Sequence, residues 1–202
     1  MLGLLITLGV IALVVIVLLA WAIGTYNRFV RLRNQVESSW AQVDVQLKRR
    51  HSLIPNLVET VKGYAAHERG TFDEVTQART AAQQAQGPQA QAAAENVLTQ
   101  ALGRLFAVAE NYPQLRATEN FQQLQAQLSE TESNIAIARQ VYNDTVLTYD
   151  NALETLPTSI IAGIFNFRPR EYFQADDGDR AAPQVSFDTT TPPAAPSTPP
   201  AS

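Results

Sequence analysis

The chain has 202 residues, with 15 basic and 19 acidic side chains for a net charge of −4, and no cysteine. The acids outnumber and interleave with the bases, so there is no basic nucleic-acid footprint. The missing thiols exclude disulfides, thiolate zinc sites, cysteine nucleophiles and a lipidated N-terminal cysteine, and the length suits one domain with appendages.

Residues 2–23 form a 22-residue apolar run without a charge. At ~1.5 Å per residue a helix needs about 20 residues to cross the hydrocarbon core, so this run is long enough. A cleaved signal peptide would show a basic start, a shorter apolar core and a small-residue cleavage site. No Lys or Arg precedes this run, and Trp21-Ala22-Ile23 is not such a site. The expectation is a retained anchor, with Trp21 and Tyr26 at its interfacial edge. Arg28, Arg31 and Arg33 follow the run and nothing basic precedes it. The positive-inside rule then puts the N-terminus outside and the C-terminal body in the cytoplasm.

The helix is expected to continue out of the membrane, because Gly24 alone interrupts the chain before Tyr26. Val36, Trp40, Val43, Leu47, Ile54, Leu57, Val61 and Tyr64 mark one apolar seam with a repeat near 3.5, suited to packing against other long helices. Pro55 lies inside the pattern without changing its phase, which predicts a bend rather than a stop. Gly70 suits a helix end, and Thr71 with Glu74 has capping-box spacing. That predicts a break near residue 70, against the alternative of one bent helix over 24–86. Phe72, Val75 and Ala78 resume a helical face. Gly87-Pro88 predicts a turn with Pro88 opening the next helix. The face assigned to that helix is Ala94, Val97, Ala101, Leu105, Val108 and Tyr112, and Pro113 should end it. Thr118 can cap the last helix, whose seam is Phe121, Leu124, Leu128, Thr131, Ile135, Ala138, Tyr142 and Tyr149, stopping before Pro157.

Residues 158–167 are apolar but too short to cross a membrane. They either dock on the bundle or touch the interface near the anchor. Residues 168–187 read as an extended segment packed on the bundle. Residues 188–202 are rich in Pro, Thr and Ala and cannot form a core, so a disordered tail is expected.

The chemistry-bearing patterns are weak. His67-Glu68 begins like a zinc-protease helix, but Thr71 stands where the second histidine belongs. His51 and His67 have no metal-ligand spacing. Asp73-Glu74 suits a helix's opening turn, and Asp176-Asp177 reads as a solvated loop. No nucleophile elbow, P-loop or dinucleotide turn is present. No catalytic, cofactor-binding or metal-ligating residue is therefore assigned, no cofactor is expected, and the protein is not expected to be an enzyme.

The basic run Lys48-Arg49-Arg50-His51 reads as a charged face pairing with its own acids, starting with Asp44 to Lys48. On a straight helix Lys48 stands about 35 Å beyond Ile23, which weakens a lipid-binding reading. Arg50 occupies the seam, where a guanidinium is rarely buried without a partner. If the last helix runs antiparallel to the first, Asn27 lies beside Leu156. The level of Arg50 (50 − 27 = 23 residues along) then faces about residue 133 (156 − 23), flanked by Glu130 and Glu132. A three-helix arrangement would run those helices parallel and give no such pairing.

The segments YNRFVRLRNQVESSWAQVDVQLKRR, LIPNLVETVKGYAAHE, FDEVTQAR, AVAENYPQLRA, ENFQQLQAQLSETESNIAIARQVYND, YDNALETLPTSIIAGIFNF and PREYF resemble the LemA family of bacterial membrane proteins over roughly residues 20–187. The resemblance implies one N-terminal anchor, an antiparallel helical bundle, the N-terminus outside and the body in the cytoplasm. It implies no established enzyme activity and carries over no catalytic residues.

The combined expectation is an all-α chain: a transmembrane helix (2–23) continuing into an antiparallel, up-and-down three- to four-helix bundle (24–167), an extended packed segment (168–187) and a disordered Pro-rich C-terminal tail (188–202). Its expected partners are the membrane, through residues 2–23, and unidentified proteins, with self-association among the options; nucleic acid is not expected. The expected role is a membrane-anchored interaction or scaffold protein of the bacterial inner membrane. The alternative is a small-molecule sensor or enzyme with a site between the helices. A buried polar cluster lining a cavity would favour the alternative, and a filled apolar core the scaffold.

Overall fold

The computed structural model describes residues 1–174. The helices are α1 (Leu2–Lys62), α2 (Arg69–Gln84), α3 (Pro88–Glu110), α4 (Pro113–Arg116), α5 (Glu119–Glu154) and α6 (Thr158–Ile164); no strand occurs among the described residues. Residues 175–187, with Asp176-Asp177, and the tail 188–202 lie outside the described residues.

One unbroken helix carries the apolar run into the bundle, and Pro55 sits inside it without ending it. Residues 2–21 are exposed along their whole length, on a helix long and apolar enough to cross a membrane. Burial begins at Thr25 and Phe29. From there Phe29, Val36, Val43, Arg50 and Leu57 recur every seven residues, and Leu47, Ile54 and Val61 follow four behind; all are buried. Helix α5 mirrors this with Phe121, Leu128, Ile135, Tyr142 and Tyr149, joined by Thr131, Ala138 and Ala152. Two seven-residue seams pack most closely along a shared axis. The partners fix the direction. Trp40 meets Tyr142 with ring centroids 5.2 Å apart, and Arg50 meets Glu132, so sequence rises on α1 as it falls on α5. The pair is antiparallel, as the four-helix arrangement requires.

The α2–α3 hairpin covers the end of this pair distant from the apolar run. Phe72, Val75, Ala78 and Ala82 from α2, and Leu98, Ala101, Leu102, Leu105 and Ala109 from α3, close over Ile54, Leu57, Val58 and Val61 of α1 and Phe121 and Leu128 of α5. Leu57, Leu98 and Leu105 are fully buried, each worth about 1.5–3 kcal/mol relative to exposure. A second core, built on Phe29, Val36, Val43, Tyr142, Val146 and Tyr149, fills the half nearer the apolar run.

Five sequence expectations are corrected. The break after α1 falls at residues 63–68, before Gly70, which lies in the first turn of α2. In that turn Ala65 is buried in the core, while Tyr64, assigned to the seam, is exposed. The Thr71–Glu74 capping box does not form: Glu68 holds the cap position, and Glu74 pairs instead with Arg104 of α3. The buried face of α3 is Ala92, Glu95, Leu98, Ala101, Leu102, Leu105 and Ala109, one position round from the assigned face, and Val97 is exposed. Thr118 does occupy the N-cap of α5 but makes no capping bond; its hydroxyl donates to the Leu115 carbonyl at 2.6 Å. Helix α3 ends at Glu110, ahead of Pro113, which opens α4.

After α5 the chain turns back. Helix α6 buries Ile161 and Ala162 in the second core. Residues 168–174 then run without regular structure along α5. The Tyr142 hydroxyl donates to the Glu171 carbonyl at 2.7 Å, and Asn143 bonds both the carbonyl and the N–H of Phe173, at 3.1 and 2.9 Å. Burial pushes the Tyr142 phenol up to about 12, so it remains a donor at all physiological pH values. Gly87 adopts φ 86° at the head of α3, a backbone region that glycine enters without steric penalty, beside the Glu171 carboxylate.

Candidate functional site

All four residues of the basic run find an acid. Lys48 pairs with Asp44 at 2.6 Å and Arg49 with Glu130 at 3.3 Å; both pairs are exposed and contribute little to stability. Arg50 and His51 turn inward, 2% and 5% exposed, onto a polar layer between the two cores. The Arg50 guanidinium donates through Nη1 to Glu95 Oε2 at 2.7 Å. Its Nη2 donates to Thr99 Oγ1 at 2.8 Å and lies 2.8 Å from Glu132 Oε1. The other Glu95 oxygen receives Gln91 Nε2 at 3.0 Å and lies 2.7 Å from His51 Nε2. Arg79 of α2 donates Nε to the His51 carbonyl at 2.8 Å. Four helices therefore meet on two adjacent residues of α1.

Electrostatics decides the charge state of Glu95. Burial pushes its pKa up. The His51 hydrogen bond, the charges of Arg50 and His51 and the Gln91 amide together outweigh that push, and the carboxyl stays below its ordinary value of 4.5. An ionised carboxylate only accepts hydrogen bonds, which assigns the shared proton to His51 Nε2.

Of the two acids expected beside Arg50, Glu132 is its partner and Glu130 turns to Arg49. Sequence reading missed Glu95. Its one signal is isolation: Glu95 is the single charged residue between Arg79 and Arg104. A lone carboxylate in a stretch of Ala and Gln has no local partner, which leaves a distant cation.

The layer borders a groove of about 260 Å³ lined by Asp44, Lys48, His51, Ser52, Arg79 and Gln91, among others. Several of its polar atoms are hydrogen-bonded within the chain. Ser52 Oγ donates to the Arg49 carbonyl at 2.8 Å, and Gln91 Nε2 also reaches the Ala82 carbonyl at 2.9 Å. The chemistry this arrangement performs best is to hold a fixed helix register.

Because the folded-state pKa of Glu95 is lowered, its contribution to stability is complete above about 4.5 and is lost as pH falls through the lower folded value. A Glu95→Gln protein should be less stable than the parent at neutral pH, with the gap closing as the medium is acidified below about pH 4.5. Urea midpoints measured across that range test this; a gap that stays constant with pH counts against an ionised Glu95.

A long helix with an apolar head, carrying an antiparallel bundle pinned by a buried ion-pair layer, defines the class. The chain belongs to the LemA family, whose family model matches residues 39–187. It is 28% identical over 200 residues to magnetosome protein MamQ 2 of Paramagnetospirillum magneticum, covering 85% of this chain and 74% of that one. Magnetosome protein MamQ of Magnetospirillum gryphiswaldense is 26% identical over 189 residues, covering 79% and 70%. Protein LemA of Metamycoplasma hominis is 22% identical over 169 residues, covering 83% and 75%.

Proposed function

We propose that this protein is a single-pass component of the bacterial inner membrane, with its N-terminus outside and its bundle in the cytoplasm, acting as an interaction or scaffold protein without catalysis of its own. The observation that carries this reading is the continuity of α1. A helix of 61 residues, exposed and apolar at its head and buried on one seam thereafter, holds the bundle at a set height above the bilayer. Arg28, Arg31 and Arg33 directly after the apolar head support the orientation. An interaction role is supported by the exposed apolar residues Val45, Ile137 and Val141, which flank an open groove between α1 and α5. The sensor or enzyme alternative has its support in the groove beside His51, where the buried cluster of Arg50, His51 and Glu95 borders a cavity, although His51, Gln91 and Ser52 there already hold hydrogen bonds within the chain.

The protein should stay in the membrane fraction through a carbonate wash, with its N-terminus unprocessed. Protease should digest the bundle only after the inner membrane is opened. A mature N-terminus near Thr25, or digestion in intact spheroplasts, would reject the span or its direction.

A further inference from the structure

Resting on the anchor reading, we infer that the end of the bundle formed by Leu156 and α6 is a second membrane contact, seated in the lipid interface of the bilayer that holds the head of α1. Helix α1 serves as the ruler. Its apolar run ends at Ile23, and Tyr26 stands about 4.5 Å further along at ~1.5 Å per residue. The Phe165 and Phe167 rings lie 4.8 and 5.7 Å from the Tyr26 ring. Ala22, inside the run itself, packs against the same core as Ile161 and Ala162. The chain after α5 therefore lies at the height where the span leaves the hydrocarbon, within the headgroup and interfacial layers that extend several ångströms beyond it.

At that height the bundle shows apolar surface. Leu156, Ile160, Ile164 and Phe165 are 74%, 56%, 69% and 52% exposed. Ile160 and Ile164, four residues apart, share one face of α6, while Ile161 and Ala162 on the other face are buried. Apolar side chains clustered at one end of a water-soluble body mark a contact surface. Here the occupant is set by continuity with the apolar run, since any surface at this height meets lipid first. The charge fits: Arg28, Arg31 and Arg168 are exposed around this end, against Glu154 on the last turn of α5, which suits anionic headgroups. The amphipathic ring of Tyr26 suits the same layer, and the exposed Phe165 suits the apolar face of an interfacial segment.

The chain has no cysteine, so single probes can be placed on the full-length protein. Leu13→Cys, Ile164→Cys and Val97→Cys proteins carry an environment-sensitive fluorophore. Each is reconstituted in vesicles of phosphatidylethanolamine and phosphatidylglycerol containing lipids with a nitroxide at either a shallow position, which reports on Ile164, or a deep acyl position, which reports on Leu13 near the bilayer midplane. All three positions are exposed, so the label does not disturb the core. At Leu13 and Ile164 we expect blue-shifted emission and loss of fluorescence to the lipid nitroxide. At Val97 the loss should occur only to an aqueous quencher. Lipid quenching at Leu13 with aqueous quenching at Ile164 overturns the second contact and leaves the anchor standing. Aqueous quenching at both positions overturns the anchor and the contact with it. A further Ile164→Asp substitution, with the probe moved to Ile160, should reduce lipid quenching at Ile160 without changing it at Leu13; unchanged quenching at Ile160 counts against the contact.

Discussion

An Arg50→Ala protein is expected to lose roughly 3–5 kcal/mol of stability, because removing one member of a buried pair leaves the other charge stranded. The stranded group is Glu95, 5% exposed, which would keep His51 and Gln91 but lose its direct guanidinium contact. Glu132 is half exposed and recovers water, so it adds little to the loss. For a body of this size the melting temperature should fall on the order of 10 °C. The double replacement of Arg50 and Glu95 by alanine should cost clearly less than the sum of the two single ones, since the pair shares one interaction. Thermal melts of the four proteins in detergent complete the cycle. An Arg50→Ala protein that melts like the parent would remove the ion-pair layer as the register device of the bundle.

The second large effect lies at the other end of the molecule. Phe29 is 1% exposed in the core shared with Tyr149, Leu153 and Ile161, and its ring centroid is 5.1 Å from that of Phe167. Phe29→Ala should cost about 3–5 kcal/mol through lost burial and the cavity left behind. The damage should also spread along the chain. Without this ring under Phe167, the segment that follows loses a support, and the Phe173 N–H bonded to Asn143 should exchange faster with solvent. Hydrogen exchange resolves the two parts: a global loss with Phe173 still protected would show that the segment is held by Tyr142 and Asn143 alone.

The sequence by itself determined the anchor-like run, the all-helical class and the two long seams, and it named the level of Glu130 and Glu132 for Arg50 on the condition, left open there, that the first and last helices run antiparallel. Each of these rests on periodicity or length along one helix, and those are local properties of the chain. Val36 or Val43 on α1 and Phe121 or Leu128 on α5 announce their faces through repeats of seven, whatever they pack against. Tertiary structure decided the rest. The face of α3 was marked by Leu98, Leu102 and Leu105, which recur at three-and-four spacing and are all buried; the assigned face followed Val97 and Val108 instead, a competing stripe one position round. What no local pattern showed is that this face also buries Glu95, whose partners Arg50 and His51 stand 45 and 44 residues earlier. The end of α1 lies ahead of Gly70, where Ala65 enters the core, and Glu74 pairs with Arg104 of α3 rather than capping α2. The height of α6 against Tyr26 follows from the length of α5 measured along α1, and only the antiparallel direction, which tertiary structure fixes, turns that length into a position. Burial of a charge and the placement of a turn depend on partners distant in sequence, and no pattern of spacing along a single helix records those partners.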